Sequence, residues 1–301
     1  MKKVKNPAFR VLLPEHKGAD PWFIIKKPAI KGVMGLGRDP FRVAPEDKQV
    51  RTHERASTCE SLVDIYPDAI SIGGPLGAGE DRGGVGFGGI IIMIPPLVMI
   101  YMIISDLEYF RHMWFFILPD ILLFFCGIRL FKNGFFLPKD KPVIFDRKNR
   151  RVIFSQIKSH GFWELSKFPK FVAPVVVPWD SVRVRSFKMT QPMGKTLRDT
   201  YRLEVLAPDP SDEKKLLVGE AIGYLGWYED EKLWQLYEHI RRYMEEDGPP
   251  IQHGEELRVK RMGRDLQPFP DEILASLGGP PLTSDEVKAL AKTVPAQVFE
   301  D

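Results

Sequence analysis

The chain of 301 residues is poor in cysteine and has no marked excess of either charge. Its two cysteines, Cys59 and Cys126, cannot form a disulfide framework, and Cys126 lies inside an apolar segment, which fits a reducing compartment. The 43 lysine and arginine residues nearly balance the 40 aspartate and glutamate residues, so no overall basic field indicates binding to nucleic acid. We therefore expect neither disulfide bonds nor a nucleic-acid partner.

The histidines lack metal-ligand spacing such as H-x-x-x-H or H-E-x-x-H. No serine lies in a nucleophile elbow, and neither cysteine has a catalytic local signature. The sequence therefore predicts no catalytic residue, no metal site and no cofactor, and we expect a protein that is not an enzyme. The six histidines are scattered along the chain at His16, His53, His112, His160, His239 and His253.

What the sequence does contain is a pair of long apolar segments. The first, Gly83 to Ser105, has no charged side chain, and the second, His112 to Ile128, has only Asp120. A helix needs roughly 17–25 apolar residues to cross a bilayer core, where lipid offers the backbone no hydrogen-bond partners. The short link between the segments therefore predicts a transmembrane helical hairpin. The alternative, a soluble protein with a buried helical hairpin, is disfavoured by the uncharged length and by Pro95 and Pro96.

Basic residues beside the apolar pair indicate its orientation. They cluster between Arg129 and Arg151, whereas the link between the two segments carries Arg111 alone. Because positive residues that flank a membrane segment stay in the cytoplasm, we expect a multi-pass membrane protein with both termini cytoplasmic. The same cluster suits contact with anionic lipid headgroups. Arg10 cuts the first apolar run too short for a signal-peptide core, so the hairpin itself should direct insertion.

The glycine-rich stretch from Gly73 to Gly89, which leads into the hairpin, matches a nucleotide-binding pattern by its spacing. Gly84, Gly86 and Gly89 satisfy G-x-G-x-x-G, and Asp106 lies near the distance expected for a ribose-binding acid. That fingerprint needs a buried strand before it and an amphipathic helix after it. Charged residues precede these glycines and an all-apolar segment follows them, so we expect a flexible lead into the membrane.

Hydrophobic alternation after the hairpin predicts a series of antiparallel strands. Residues 142–146 and 151–157 form a predicted β-hairpin with Asn149 in the turn. The next predicted strand, 171–177, contains Pro174, which favours a position at the edge of a sheet.

Two further strands are predicted to have one buried face and one solvated face. Val182 and Val184 alternate with Arg183 and Arg185, so we expect the valines in the core and the arginines in solvent. The same alternation puts Tyr201, Leu203 and Val205 on one face of the following strand.

One amphipathic helix ends the strand series. Residues 227–246 place apolar side chains along one face, and Gly248 and Pro249 stop the helix. His239 lies beside the apolar face and is expected to be a half-buried core residue.

The tail after residue 250 carries two short helix signals. The segment 270–279 starts after a proline, and 283–294 begins with a capping box of Thr283 and Glu286. This tail could pack on the preceding domain or serve as a docking arm, and we favour partial packing.

These patterns define four regions and an α+β fold class. Residues 1–82 form an N-terminal cytoplasmic region that leans on the later domain, and 83–131 form the two-helix transmembrane hairpin. Residues 140–248 form a cytoplasmic antiparallel β-roll with a C-terminal helix, and 249–301 form the tail. Strands followed by one helix have the order of a pleckstrin-homology-like roll, an analogy of fold that assigns no ligand.

Four residues are candidates for function. Asp120 is the one acid inside the apolar hairpin, where a carboxylate is costly unless paired or neutral, so a proton relay, helix pairing or an oligomer contact would explain it. Trp163 lies on a loop and could anchor a partner, because aromatic side chains concentrate interface energy. Arg183 and Arg185 are the candidate charged contacts of the same domain.

The order of parts resembles a known but uncharacterised family. The membrane hairpin is followed by KPVIFDRKNRRVIF, PWDSVRV and then EKLWQLYEHIRRYMEE before GPP. This order is similar to a domain of unknown function in bacterial inner-membrane proteins that are often encoded beside type VI secretion effectors. The likeness covers roughly Ser57 to Pro250. It implies an immunity or accessory role in interbacterial toxin delivery, with a toxin effector as the protein partner.

The sequence leaves three functional hypotheses open. The first is an immunity or accessory protein that binds a toxin effector at the cytoplasmic face of the inner membrane. The second is a membrane-tethered sensor module that binds lipid or a peptide, and the third is a chaperone or adaptor for an effector's own transmembrane segments. All three have the lipid bilayer as a partner and are compatible with a homo-oligomer.

Overall fold

The computed structural model describes residues 11–24, 39–75, 82–105, 114–158, 164, 167–193, 196–227, 230–259, 264 and 266–297. These residues form an α+β structure with two apolar helices, two antiparallel sheets and helices near the C-terminus. The helices are α1 (Arg82–Ser105), α2 (Ile117–Phe135), α3 (Glu231–Glu245), α4 (Asp271–Ala275) and α5 (Ser284–Thr293). The strands are β1 (Arg42–Val43), β2 (Leu62–Ile65), β3 (Ala69–Ile72), β4 (Val143–Asp146), β5 (Arg151–Lys158), β6 (Lys170–Pro178), β7 (Arg183–Met193), β8 (Thr196–Asp209) and β9 (Asp212–Trp227).

The strands form a five-stranded sheet in the order β2-β3-β4-β5-β6 and a four-stranded sheet in the order β1-β7-β8-β9. Both sheets and α3 contribute side chains to one hydrophobic core. Phe145 and Trp179 come from the first sheet and the turn after it, Val205 from the second sheet, and Trp234 and Ile240 from α3, and all five are fully buried. The core therefore ties the two sheets and the helix together.

Several local predictions are confirmed. The β4–β5 hairpin has Asn149 in its turn, where its backbone N–H and its side-chain amide both donate to the carboxylate of Asp146. β6, which contains Pro174, is the last strand of its sheet. Helix α3 lies within the predicted range 227–246 and buries its apolar face.

The apolar hairpin is inserted between two neighbouring strands of one sheet. β3 pairs with β4, and Ile72 at the end of β3 lies opposite Val143 at the start of β4. The chain therefore leaves the sheet and returns to it at adjacent positions. This sheet combines two of the predicted regions. β2 and β3 belong to residues 1–82, before the hairpin, whereas β4, β5 and β6 belong to residues 140–248, after it.

The two apolar helices are long and apolar enough to cross a membrane. The candidate spans are Val85–Ser105 and Trp114–Phe135. Only 11% and 6% of their most apolar windows are buried, whereas the core hairpin of a soluble protein would hide most of this surface. The arrangement therefore disfavours the alternative of a soluble protein with a buried hairpin.

Gly89 and Gly127 bring the two helices of the hairpin into backbone contact. A Cβ atom at Gly89 would lie 2.5 Å from the backbone nitrogen of Phe131 and 2.6 Å from the carbonyl oxygen of Gly127. Small residues at a crossing let helices pack closely in lipid. The expectation of a flexible glycine-rich lead is wrong for residues 82–89, because α1 already begins at Arg82, and Gly86 and Gly89 lie against α2.

We expect a leucine at Gly89 to loosen the hairpin, and a leucine at Gly88 to leave it intact. A Cβ atom at Gly88 meets nothing within 4 Å. Both variants replace a glycine of α1 by leucine and so change its helix propensity equally, but only the leucine at position 89 collides with α2. Overpacking of this kind costs about 1–3 kcal/mol. Thermal unfolding in one detergent should show a lower midpoint for Gly89→Leu than for Gly88→Leu, and equal midpoints would contradict the contact.

The predicted solvated arginine face of β7 is wrong for Arg185. This side chain is fully buried, forms an ion pair with Asp20 and lies 4.0 Å from the carboxylate of Glu204. Burial lowers the pKa of Arg185 to about 10. The reason is that residues 20–24 cover the second face of the sheet, with Phe23 buried.

His239 is also more buried than expected. Its side chain is fully enclosed, and its Nδ1 atom lies 2.9 Å from the side-chain nitrogen of Gln252. Burial lowers the pKa of His239 to about 4, so the imidazole is neutral at physiological pH. It serves as a packed, hydrogen-bonded core residue.

The tail packs on both sides of the five-stranded sheet. Helix α5 begins with the predicted capping box of Thr283 and Glu286 and buries Val287 in the main core. Phe269 and Leu277, which flank α4, cover the other face of the sheet. The described tail residues therefore pack on the domain, in agreement with the expected partial packing.

Candidate functional site

The hairpin leaves the five-stranded sheet at one end, so this sheet has a hairpin end and a distal end. β4 starts beside the hairpin and runs away from it, so the β4–β5 turn at 147–150 lies at the far end of the sheet. β6 also ends there, and the turn 179–181 carries the chain from it into the second sheet. This distal end faces the aqueous phase when the hairpin is in lipid.

A set of charged side chains converges at this distal end. Glu245 lies at its centre and accepts hydrogen bonds from the indole nitrogen of Trp179 at 2.5 Å and from Arg150 at 3.1 Å. Arg150 also donates to the carboxylate of Asp180 at 2.7 Å. These two carboxylates raise the pKa of the Arg150 guanidinium. We call Lys48, Arg150, Asp180, Arg183 and Glu245 the distal charged cluster.

Arg183 extends the distal charged cluster toward the N-terminal segment. Its guanidinium donates to the backbone oxygen of Asp180 at 3.1 Å and lies 3.7 Å from the carboxylate of Glu46. It also lies 5.8 Å from the ring centre of Trp22. Asp180 and Glu46 have side chains that are 72% and 66% exposed, so their charges are available to a partner.

Lys48 holds the backbone of the distal turn. Its ammonium group donates to the carbonyl oxygens of Trp179 at 2.6 Å and Asp180 at 3.0 Å, and it lies 4.7 Å from the Trp179 ring. Burial, with a further contribution from Arg183, lowers the pKa of Lys48 to about 8. The buried lysine therefore fixes the turn that presents Asp180 to solvent.

The chemistry of the distal charged cluster suits binding. Exposed ion pairs contribute little to folding, typically about 0–1 kcal/mol, so a partner can exchange them for its own charges at small cost. Arginine and tryptophan are both enriched at interface hot spots, and Arg183 lies 5.8 Å from the ring centre of Trp22. Among the residues that the structure describes, no group of three or more His, Cys, Asp or Glu side chains could hold a metal ion.

In an open cleft on another side of the domain, the carboxylate of Glu255 is already hydrogen-bonded within the protein. Its volume is about 910 Å³, and Thr58, Cys59 and Glu255 contribute to its lining. The Glu255 carboxylate accepts hydrogen bonds from the backbone N–H of Thr58 and from the hydroxyl groups of Ser57 and Thr58. Burial raises the pKa of the Cys59 thiol to about 12, so this thiol stays protonated and is a poor nucleophile.

The hairpin is fixed to the domain by a buried arginine. The guanidinium of Arg258 donates to the carboxylate of Asp140 at 3.1 Å, to Gly74 O at 2.8 Å and to Gly223 O at 2.7 Å. Asp140 in turn accepts the backbone N–H of Gly74 at 2.9 Å. A Cβ atom at Gly73 would lie 2.2 Å from the Asp140 carboxylate, so this position has no room for a side chain. We call this arrangement the Arg258 clamp.

The candidate residues from the sequence fall in different places. Arg183 belongs to the distal charged cluster, whereas Arg185 is buried under the N-terminal segment. Trp163 lies outside the described residues. Asp120 is half-buried in the first turn of α2, within the second candidate span. Sequence reasoning missed Arg150 as a functional candidate, although its place in the turn DRKNRR was the available signal.

Comparison with known proteins finds that part of the chain is similar to a family of unknown function. Residues 120–263 match the model of a family described as a family of unknown function, DUF6708. The match begins in α2 and includes the strands β4 to β9, helix α3 and Arg258. It agrees with the resemblance to an uncharacterised family. No curated protein and no solved structure matches the chain.

Proposed function

We propose that the chain is a membrane-anchored, non-enzymatic binding protein of the bacterial inner membrane that recognises a protein partner through the distal charged cluster. The observation that supports this function is the insertion of the hairpin between β3 and β4, with the cluster at the other end of the same sheet. β5 has eight residues, so at about 3.3 Å per residue the cluster lies roughly 25 Å from the hairpin end.

The resemblance to a family encoded beside type VI secretion effectors supports a more specific proposal. The partner is then a toxin effector, and the protein acts as its immunity or accessory protein. Basic residues between Arg129 and Arg151 favour a cytoplasmic position for the folded part. An immunity protein with this topology neutralises a toxin that acts in the cytoplasm or at the inner membrane.

Charge reversal in the distal charged cluster tests this proposal. The partner to test is the effector encoded beside the gene of this protein. We expect Asp180→Lys combined with Arg183→Glu to weaken its co-purification roughly 10-fold or more, because reversed charges at an interface repel the partner. Cells that carry the effector should lose protection on deletion of the gene and regain it with the wild-type gene. The double variant should restore protection poorly at equal protein level.

The matched control is Lys214→Glu combined with Lys215→Glu, which reverses two exposed charges at the start of β9. This control should bind and protect like the wild type. Survival of effector-carrying cells without the protein contradicts the immunity role. A partner that is degraded without the protein, in the absence of any toxicity, supports the chaperone alternative, and binding of a free peptide or of liposomes by the β-roll without an effector supports the sensor alternative.

A further inference from the structure

A second surface lies where the domain meets the end of the hairpin. Lys132, in the last turn of α2, donates from its ammonium group to the carbonyl oxygen of Lys167 at 2.5 Å. The rings of Phe136 and Phe168 are 5.0 Å apart. Residues 167 and 168, which precede β6, are therefore attached to the end of α2. We call Lys132, Phe136, Lys167, Phe168 and Arg264 the juxtamembrane surface.

Two cationic groups lie close to the exposed ring of Phe168. The ammonium group of Lys132 lies 4.3 Å from the ring centre and the guanidinium of Arg264 lies 5.8 Å from it. Arg264 is held in place by its backbone, which donates to Leu137 O and accepts from Lys139 N–H, both at 3.0 Å. Phe168 is nevertheless 44% exposed, so a large apolar group lies close to two positive charges on the outside of the domain.

The candidate membrane spans indicate how deep the juxtamembrane surface lies relative to a bilayer. The second candidate span ends at Phe135, one residue before Phe136. The polar headgroup layer adds about 5–8 Å on each side of the hydrocarbon core. A bilayer that contains Trp114–Phe135 therefore has its headgroups beside Phe168 and the surrounding basic groups, and aromatic and basic side chains are the residues that such interfaces favour.

An unusual pair of lysines next to this surface indicates a negatively charged ligand. Lys158 at the end of β5 lies directly opposite Lys170 at the start of β6, and both residues are exposed. Like charges that face each other across two strands destabilise a sheet. The carboxylate of the nearby Glu164 forms an ion pair with Lys167 at 2.5 Å. An anion between Lys158 and Lys170 would turn the repulsion into attraction.

We propose that the juxtamembrane surface and the Lys158–Lys170 pair bind the headgroup of an anionic phospholipid. The lipid phosphate lies between the two ammonium groups, and the Phe168 ring enters the boundary between headgroups and acyl chains. This contact fixes the domain on the bilayer and so directs the distal charged cluster into the cytoplasm. The inference rests on the candidate spans and is independent of the identity of the protein partner.

The test uses the full chain in mild detergent, with phosphatidylglycerol added against phosphatidylcholine as the neutral lipid. We expect phosphatidylglycerol to raise the unfolding midpoint of the wild type and to remain bound in native mass spectra. In Lys158→Gln combined with Lys170→Gln, the apparent affinity for phosphatidylglycerol should fall roughly 30-fold, because each basic residue near an anionic surface contributes about 1 kcal/mol. Without anionic lipid, this variant should be as stable as the wild type or more so, since it loses the repulsion.

Lys214→Gln combined with Lys215→Gln is the matched control. Gly223 of β9 bonds to Gly73 at the hairpin end, so Lys214 lies nine residues away along the strand, about 30 Å at 3.3 Å per residue. This control should retain the full response to phosphatidylglycerol. An unchanged response in the Lys158 and Lys170 variant, or an equal loss in the control, overturns the proposal. Stabilisation by inorganic phosphate equal to that by the lipid would also overturn it, because the site would then be a phosphate site without lipid selectivity.

Discussion

Replacing Arg258 by methionine should lower the free energy of unfolding by about 3–5 kcal/mol, because the substitution leaves the buried carboxylate of Asp140 without its charged partner. The Arg258 side chain is 6% exposed, and its guanidinium is hydrogen-bonded on every nitrogen. The substitution also leaves the carbonyl oxygens of Glu60, Gly74 and Gly223 without the hydrogen bonds that the guanidinium donates to them. Thermal unfolding in one detergent should show a decrease of the midpoint on the order of 10 °C.

Two further variants distinguish the loss of the Arg258–Asp140 ion pair from a general effect of removing one positive charge. Lys148→Met removes a lysine whose side chain is 65% exposed and whose partner is Asp68, so stability should change by no more than about 0.5 kcal/mol. Adding Asp140→Asn to Arg258→Met removes the unpaired carboxylate and should restore part of the lost stability. A midpoint for Arg258→Met equal to that of Lys148→Met would contradict the Arg258 clamp.

The sequence predicted those elements whose signal is local. The uncharged length of the hairpin, the turn around Asn149 and the capping box of Thr283 and Glu286 are each visible within a few neighbouring residues, and each is present in the structure. The amphipathic face of α3 is also a local pattern, because its period of 3.6 residues appears within the helix itself. For such elements, neighbouring residues carry enough information.

The prediction failed where distant segments decide the environment of a residue. Arg185 looks solvated in an alternating strand, and only the packing of residues 20–24 on that face makes it buried. The Arg258 clamp joins residues that are 118 positions apart at Asp140 and Arg258. Alternation within a strand separates its two faces, but it does not reveal whether another segment covers the polar one.

The distal charged cluster was missed for the same reason. Its members come from the N-terminal region, the β4–β5 turn, the turn after β6, the start of β7 and the end of α3. Lys48 and Glu245 contact residues that are more than 60 positions away in sequence. A single sequence without related sequences shows no sign of such convergence, although Arg183 was found from its place in the strand pattern.

Removing the hairpin should convert the protein from a membrane protein into a soluble one. The variant replaces residues 76–136 by a short linker with an Asn-Gly turn, which joins Pro75 to Leu137. A short linker is sufficient because the backbone N–H of Gly74 donates to the side chain of Asp140 at 2.9 Å. The two ends of the hairpin are thus already adjacent, and the β3–β4 pairing and the Arg258 clamp are retained.

We expect the full-length chain in the membrane fraction and the shortened chain in the soluble fraction without detergent. The shortened chain should show a cooperative thermal transition, because both sheets, α3 and the main core are unchanged. Gly73→Val in the shortened chain is the control for folding, since its side chain would collide with the Asp140 carboxylate. This control should aggregate or unfold at a clearly lower temperature.

Two outcomes would contradict this account of the hairpin. Full-length protein in the soluble fraction without detergent would show that the apolar helices do not reside in lipid. A shortened chain that aggregates as strongly as its Gly73→Val form would show that the hairpin is needed for folding of the domain. If the shortened chain is soluble, its partner binding should persist, because the distal charged cluster lies at the other end of the sheet, whereas its response to anionic lipid should fall with the loss of Lys132 and Phe136.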